Sequence, residues 1–118
     1  MKRLLIVDDD RLVRTSMGLY FESEGWEVEL AANVEQALAS LKAPASFDAM
    51  ICDLHLSPRR AGEGIGLIEA ARRAAPKAVL VLLSGEGTDQ FGAVRPDAMV
   101  QKPVRLPQLH KLVTDLGG

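Results

Sequence analysis

Two successive aspartates, Asp8 and Asp9, end the apolar run Leu4-Leu5-Ile6-Val7, and a third, Asp53, ends the run Ala49-Met50-Ile51-Cys52. Runs of this kind read as buried strands, so the three acids are expected to converge at one edge of a parallel sheet. Crowded carboxylates repel one another unless a proton or a divalent cation intervenes. Such a cluster implies a hard metal ion with oxygen ligands and, beside it, an aspartate able to act as a nucleophile. Two further apolar stretches lead to Ser84, a hydroxyl donor, and to Lys102, a cation. If Asp53 attacks a phosphorus atom, magnesium and the Lys102 ammonium would neutralise the equatorial oxygens while Ser84 donates to one of them.

The elements that must hold these groups alternate regularly. Leu4 to Val7 reads as a first strand, and Asp10 to Glu24 as a helix with Val13, Met17, Tyr20 and Phe21 inside and Gly25 as its stop. Trp26 to Ala31 sets Trp26, Val28 and Leu30 against Glu27 and Glu29, the pattern of an edge strand. Asn33 is placed to cap a second helix, with Gln36 positioned for a capping box and Pro44 beyond its end. Ala49 to Asp53 is a third strand. After a loop carrying Pro58, Arg59 and Arg60, a third helix is expected from Ile65 to Ala75, closed by Pro76. Ala78 to Leu83 is the most apolar strand and should be internal. Between Gly85 and Pro96 three glycines dilute the helical signal. Ala98 to Val100 is a short fifth strand, and Leu109, Leu112, Val113 and Leu116 mark a final helix with Pro107 in its first turn and His110 on its exposed side. Five strands alternating with about five helices mean βαβ units and a parallel sheet covered on both faces, with its ligand site beyond the C-terminal strand ends.

Composition agrees with a single domain over 1–118. A chain of 118 residues can bury roughly two-thirds of its unfolded surface. Hydrophobic residues make up 47% and charged residues 25%, a globular balance. A net charge of −2 argues against a general nucleic-acid surface, and the four apolar residues after Met1-Lys2-Arg3 are too few for a signal peptide or a membrane helix. The single cysteine, Cys52, lies in an apolar run and suits a reduced, cytoplasmic setting.

Four segments carry a resemblance to a known family: Leu4-Leu5-Ile6-Val7-Asp8-Asp9-Asp10, Met50-Ile51-Cys52-Asp53-Leu54, Val81-Leu82-Leu83-Ser84-Gly85 and Gln101-Lys102-Pro103-Val104. Together they resemble the receiver domain of the two-component response regulators, the family of the bacterial chemotaxis regulator. The resemblance implies a flavodoxin-like doubly wound α/β fold with strand order 2-1-3-4-5. It implies phosphotransfer from a sensor histidine kinase or phosphotransfer protein to Asp53. Magnesium, or manganese or calcium in a crystal, would be held by Asp9 and Asp53 directly, by Asp8 through water and by the backbone carbonyl of His55. Ser84 and Lys102 would stabilise the phosphoryl group, and Pro103 would follow a cis peptide. Such domains are phosphoacceptor regulators rather than dedicated enzymes, with slow autodephosphorylation.

This chain departs from that pattern in places. The resemblance implies an aromatic residue three positions before the lysine; here it is Met99, a flexible thioether in place of a switching ring. Ser84 and Lys102 are only 18 positions apart, so the helix between the fourth and fifth strands is expected to be short, irregular or missing. Arg59 to Glu63 reads as a small insertion. No helix-turn-helix is present, so direct nucleic-acid binding is not expected, and the output partner and oligomeric state are left open. The competing readings are a metal-dependent phosphotransferase acting on a small substrate, for which no cap segment is present, and a pseudo-receiver scaffold that is not phosphorylated. A flavin site is disfavoured, because no Ser/Thr/Gly-rich phosphate loop follows the first strand.

Overall fold

The computed structural model describes residues 2–42, 47–53, 61–84, 96–101 and 103–117, with the side chains of 61–65, 84 and 101 outside the description. Five strands, β1 (Arg3–Val7), β2 (Glu27–Ala31), β3 (Ala49–Asp53), β4 (Val79–Ser84) and β5 (Ala98–Gln101), form one sheet in the order β2-β1-β3-β4-β5. All four pairings are parallel. Four helices, α1 (Arg11–Ser23), α2 (Val34–Leu41), α3 (Ala61–Ala74) and α4 (Leu106–Gly117), are present among the described residues. The expected doubly wound α/β fold with order 2-1-3-4-5 is therefore present. The irregular helix expected between the fourth and fifth strands falls on residues 85–95, outside the described residues.

The two-residue period of the strands divides the core. Leu5, Val7, Met50, Cys52, Leu80 and Leu82 face α2 and α3, meeting Ala37, Leu67, Ile68 and Ala71. Leu4, Ile6, Ala49, Ile51, Val79, Val81 and Leu83 face α1 and α4, meeting Met17, Phe21, Leu109 and Val113. The alternation continues to the strand ends, so Asp8 after Ile6 and Asp53 after Ile51 fall on the α1/α4 side.

Local signals set the helix limits. The Gln36 amide donates to Asn33 Oδ1 at 2.8 Å, as a cap requires, but Gln36 Oε1 accepts from Ala32 at 2.7 Å rather than from the cap residue itself. Helix α1 stops at Gly25, whose φ of +94° is the left-handed region that a Cβ disfavours. Gly25→Ala is expected to cost about 1–2 kcal/mol in chemical denaturation without altering the site at the other end of β1.

Three expectations are corrected. Helix α3 starts at Ala61, four residues before Ile65, so Ala61 to Gly64 are helical rather than loop. Glycines at 62 and 64 weaken helix propensity, but the longer helix overrides it. Leu30 and Val13 are partly exposed, at 41% and 39%, rather than core. His110 is half-buried and lies in a ring cluster, with centroids 5.5 Å from Phe21, 6.2 Å from Tyr20 and 6.4 Å from Trp26. Its aromatic partners, absent from any reading of α4 alone, account for its place. No helix among the described residues is long and apolar enough to cross a membrane.

Candidate functional site

The register of β1 with β3 brings the acids together. Val7 is opposite Cys52, so Asp8 follows at the level of Asp53, itself opposite Leu83 of β4. Both carboxylates are buried, Asp8 at 2% and Asp53 at 3% exposure, and they are the buried charged side chains among the described residues. Buried carboxylates on neighbouring strand ends are costly unless something compensates their charge. Asp9, one residue on, is exposed at the rim.

A cluster of acids before a helix has a plain alternative role as its cap, and the structure assigns that role to the third acid. The amides of Leu12 and Val13 donate to Asp10 Oδ1 at 2.9 and 3.2 Å, making Asp10 the N-cap of α1. Asp8 instead accepts from the Asp10 amide through Oδ1 at 2.8 Å, and its own amide donates to the Ala31 carbonyl at 3.1 Å. The turn is thereby folded so that the Asp8 side chain stays at the sheet edge beside β3.

Cys52 reports the resulting field. Its thiol is pushed up from 9.0 to about 12, first by burial and then by the negative charges of Asp53 and Asp8. It stays protonated at neutral pH and is a poor metal ligand, since the thiolate is the ligating form. Below pH 9 both folded and unfolded states carry the proton. Between 9 and about 12 the unfolded thiol ionises while the native one does not, so this contribution to stability is lost as pH rises. Native Cys52 is expected to resist alkylation at pH 8 and to react only on denaturation, and Cys52→Ala should flatten the alkaline loss of stability.

The donor set fits a hard cation. Magnesium takes oxygen ligands, commonly one or two carboxylates with waters and phosphoryl oxygens, and Asp8 and Asp53 supply that number. Among the described residues no group of three or more His, Cys, Asp or Glu side chains could hold a metal ion, so of the three acids expected to converge, Asp8 and Asp53 are brought together and the exposed Asp9 is not.

The other expected site residues are placed unevenly. Ser84 ends β4 and is opposite Gln101, the last residue of β5. Met99 is opposite Leu82 and 41% exposed on the sheet's edge strand. Pro103 is exposed. His55 and Lys102, and with Lys102 the cis peptide expected before Pro103, lie outside the described residues, as do Arg59 and Arg60. Sequence reasoning missed Arg14, whose Nη1 donates to the Asp8 carbonyl at 2.8 Å. Its only signal was position, one helical turn beyond Asp10.

Beside the acids, on the α1/α4 face, an open apolar groove of about 370 Å³ is lined by Leu12, Val13, Ser16, Met17, Leu83, Val104 and Leu106. Leu83 pairs with Asp53, so one wall of the groove adjoins the acid end of the sheet. Leu12 is 80% exposed on its rim.

Known proteins resemble this chain in sequence and fold. The chain is 30% identical over 116 residues to a putative NtrX-like response regulator of Rickettsia conorii, covering 94% of this chain and 24% of that protein. It thus spans about a quarter of that relative's length. A CheY-like response regulator receiver domain protein from Methanospirillum hungatei superposes with a TM-score of 0.86 at 29% identity, covering 99% of this chain and 94% of the other. The response regulator TrrA of Thermotoga maritima, in complex with Mg(2+)-BeF, superposes with a TM-score of 0.80 at 25% identity over 98% and 99% of the two chains. The model of the response regulator receiver domain matches residues 4–114, and the chain belongs to that family of two-component signalling domains.

Proposed function

We propose that Asp53 is the phosphoacceptor of this domain and that a protein phosphohistidine is its donor. The observation that carries the reading is the burial of Asp8 and Asp53 side by side at the acid end of the sheet, next to an accessible apolar groove. A carboxylate oxygen of Asp53 attacks the phosphorus; the O–P bond forms as the P–N bond breaks, and the electron pair leaves on the imidazole nitrogen, which takes up a proton from solvent. Bound magnesium would supply positive charge to the phosphoryl oxygens, held by Asp9 and Asp53, by Asp8 through water, and by the His55 carbonyl. Lys102 and Ser84 contribute an ammonium and a hydroxyl to the same oxygens. The Mg(2+)-BeF complex of the Thermotoga maritima relative supports the same chemistry here.

The aspartyl phosphate adds charge and strong acceptors, which draw Ser84 and its strand end toward the site and alter the surface of β4 and β5 that a partner reads. Met99 replaces a rotating ring on that surface, so the change is transmitted by repacking of a flexible side chain. Slow hydrolysis of the aspartyl phosphate resets the domain. The free, buried Cys52 suits a cytoplasmic setting.

The test is beryllofluoride with Mg²⁺, followed in amide spectra of the whole chain. Shifts around residues 8, 53 and 84 are expected in the wild type and none in Asp53→Asn; shifts that persist in the variant assign the nucleophile elsewhere. The apolar groove beside the acids is the face on which a donor protein would dock. Leu12→Glu is expected to slow transfer from a phosphohistidine protein about tenfold while leaving uptake from acetyl phosphate unchanged. An equal loss with both donors would show that the groove is not the docking face.

A further inference from the structure

Helix α1 returns one side chain to the end of β1. Arg14 is half-buried, and its guanidinium donates to the carbonyl oxygen of Asp8 at 2.8 Å. That carbonyl and the amide of Asp9 belong to one rigid peptide plane. The other ties of this turn act elsewhere: the Asp10 amide holds the Asp8 carboxylate, and Asp10 caps the helix. Arg14 thus grips the plane from which Asp9 departs.

We propose that Arg14 is a positioning residue for the acid cluster, orienting the Asp8–Asp9 peptide so that Asp9 joins Asp53 around a divalent cation. The inference rests on the metal reading given above. The sign of the effect separates positioning from charge. A guanidinium near a cation site opposes metal binding through its charge, so removing it for that reason alone would tighten binding. If its work is orientation, removing it loosens binding, as loss of a group supporting metal ligands commonly does by about 10-fold or more.

The experiment titrates Mn²⁺ into the whole chain and counts free ion by its EPR signal, with thermal unfolding in metal-free buffer measured in parallel. Arg14→Ala is expected to weaken Mn²⁺ binding roughly tenfold, and Arg14→Lys, which keeps a charged donor, to restore most of it. Arg72→Ala is the control for a general loss of stability. Arg72 also donates to carbonyl oxygens, those of Pro76 and Ala78, and pairs with Asp97 at 3.1 Å, but it stands at the opposite ends of the strands. Its removal should leave Mn²⁺ affinity unchanged. Unchanged or tighter binding in Arg14→Ala, a loss of equal size in Arg14→Lys, or a loss of equal size in Arg72→Ala overturns the proposal. Failure of the wild type to bind Mn²⁺ overturns the metal reading itself, a separate result.

Discussion

Asp53→Asn is expected to abolish stable phosphoryl uptake, lowering it at least about a thousandfold with either acetyl phosphate or a phosphohistidine protein as donor. The carboxamide has nearly the shape of the carboxylate, so the end of β3 and its pairing with Leu83 should persist. What is lost is the anionic oxygen that bonds to phosphorus. Intact-mass measurement after incubation with donor and Mg²⁺ checks this: the wild type should gain one phosphoryl group and the variant none. Uptake by the variant at the wild-type rate would remove Asp53 from its assigned role.

The second large effect concerns Asp8. Asp8→Asn keeps an Oδ1 acceptor for the Asp10 amide, so the turn before α1 survives. It replaces one of the two buried carboxylates at the acid end of the sheet. Metal binding and phosphoryl uptake should fall by about 10- to 100-fold. Mn²⁺ titration, beside thermal unfolding in metal-free buffer, reads the loss of affinity apart from any loss of fold. A variant unchanged in metal affinity would mean that Asp8 is a structural acid.

Much of this arrangement could be read before any coordinates. Leu4 to Val7 and Ala49 to Cys52 are apolar without interruption, which only strands covered on both faces tolerate, and the acids that end them had to fall at a sheet edge. The Asn33 cap and the Gly25 stop were legible because each satisfies a local backbone need that few residue types meet. Features that depend on distant partners were not. The exposure of Val13 and Leu30, the ring cluster around His110, and the grip of Arg14 on Asp8 all arise where separate elements meet, and periodicity within one element carries no trace of them. The true start of helix α3 is hidden in the sequence because glycines at 62 and 64 mimic a loop. The division of labour among the three successive acids was hidden for a related reason. Any of them can cap a helix in principle, and only the path of the turn shows that Asp10 does.

The most direct measurement is chemical. An aspartyl phosphate is reduced by borohydride to homoserine, which marks the acceptor permanently within the chain. After incubation with acetyl phosphate and Mg²⁺, reduction and peptide mass mapping, homoserine is predicted at position 53 and at no other aspartate, and only when the divalent cation is present. Homoserine at position 8 or 9, or equal labelling without the cation, would contradict the account.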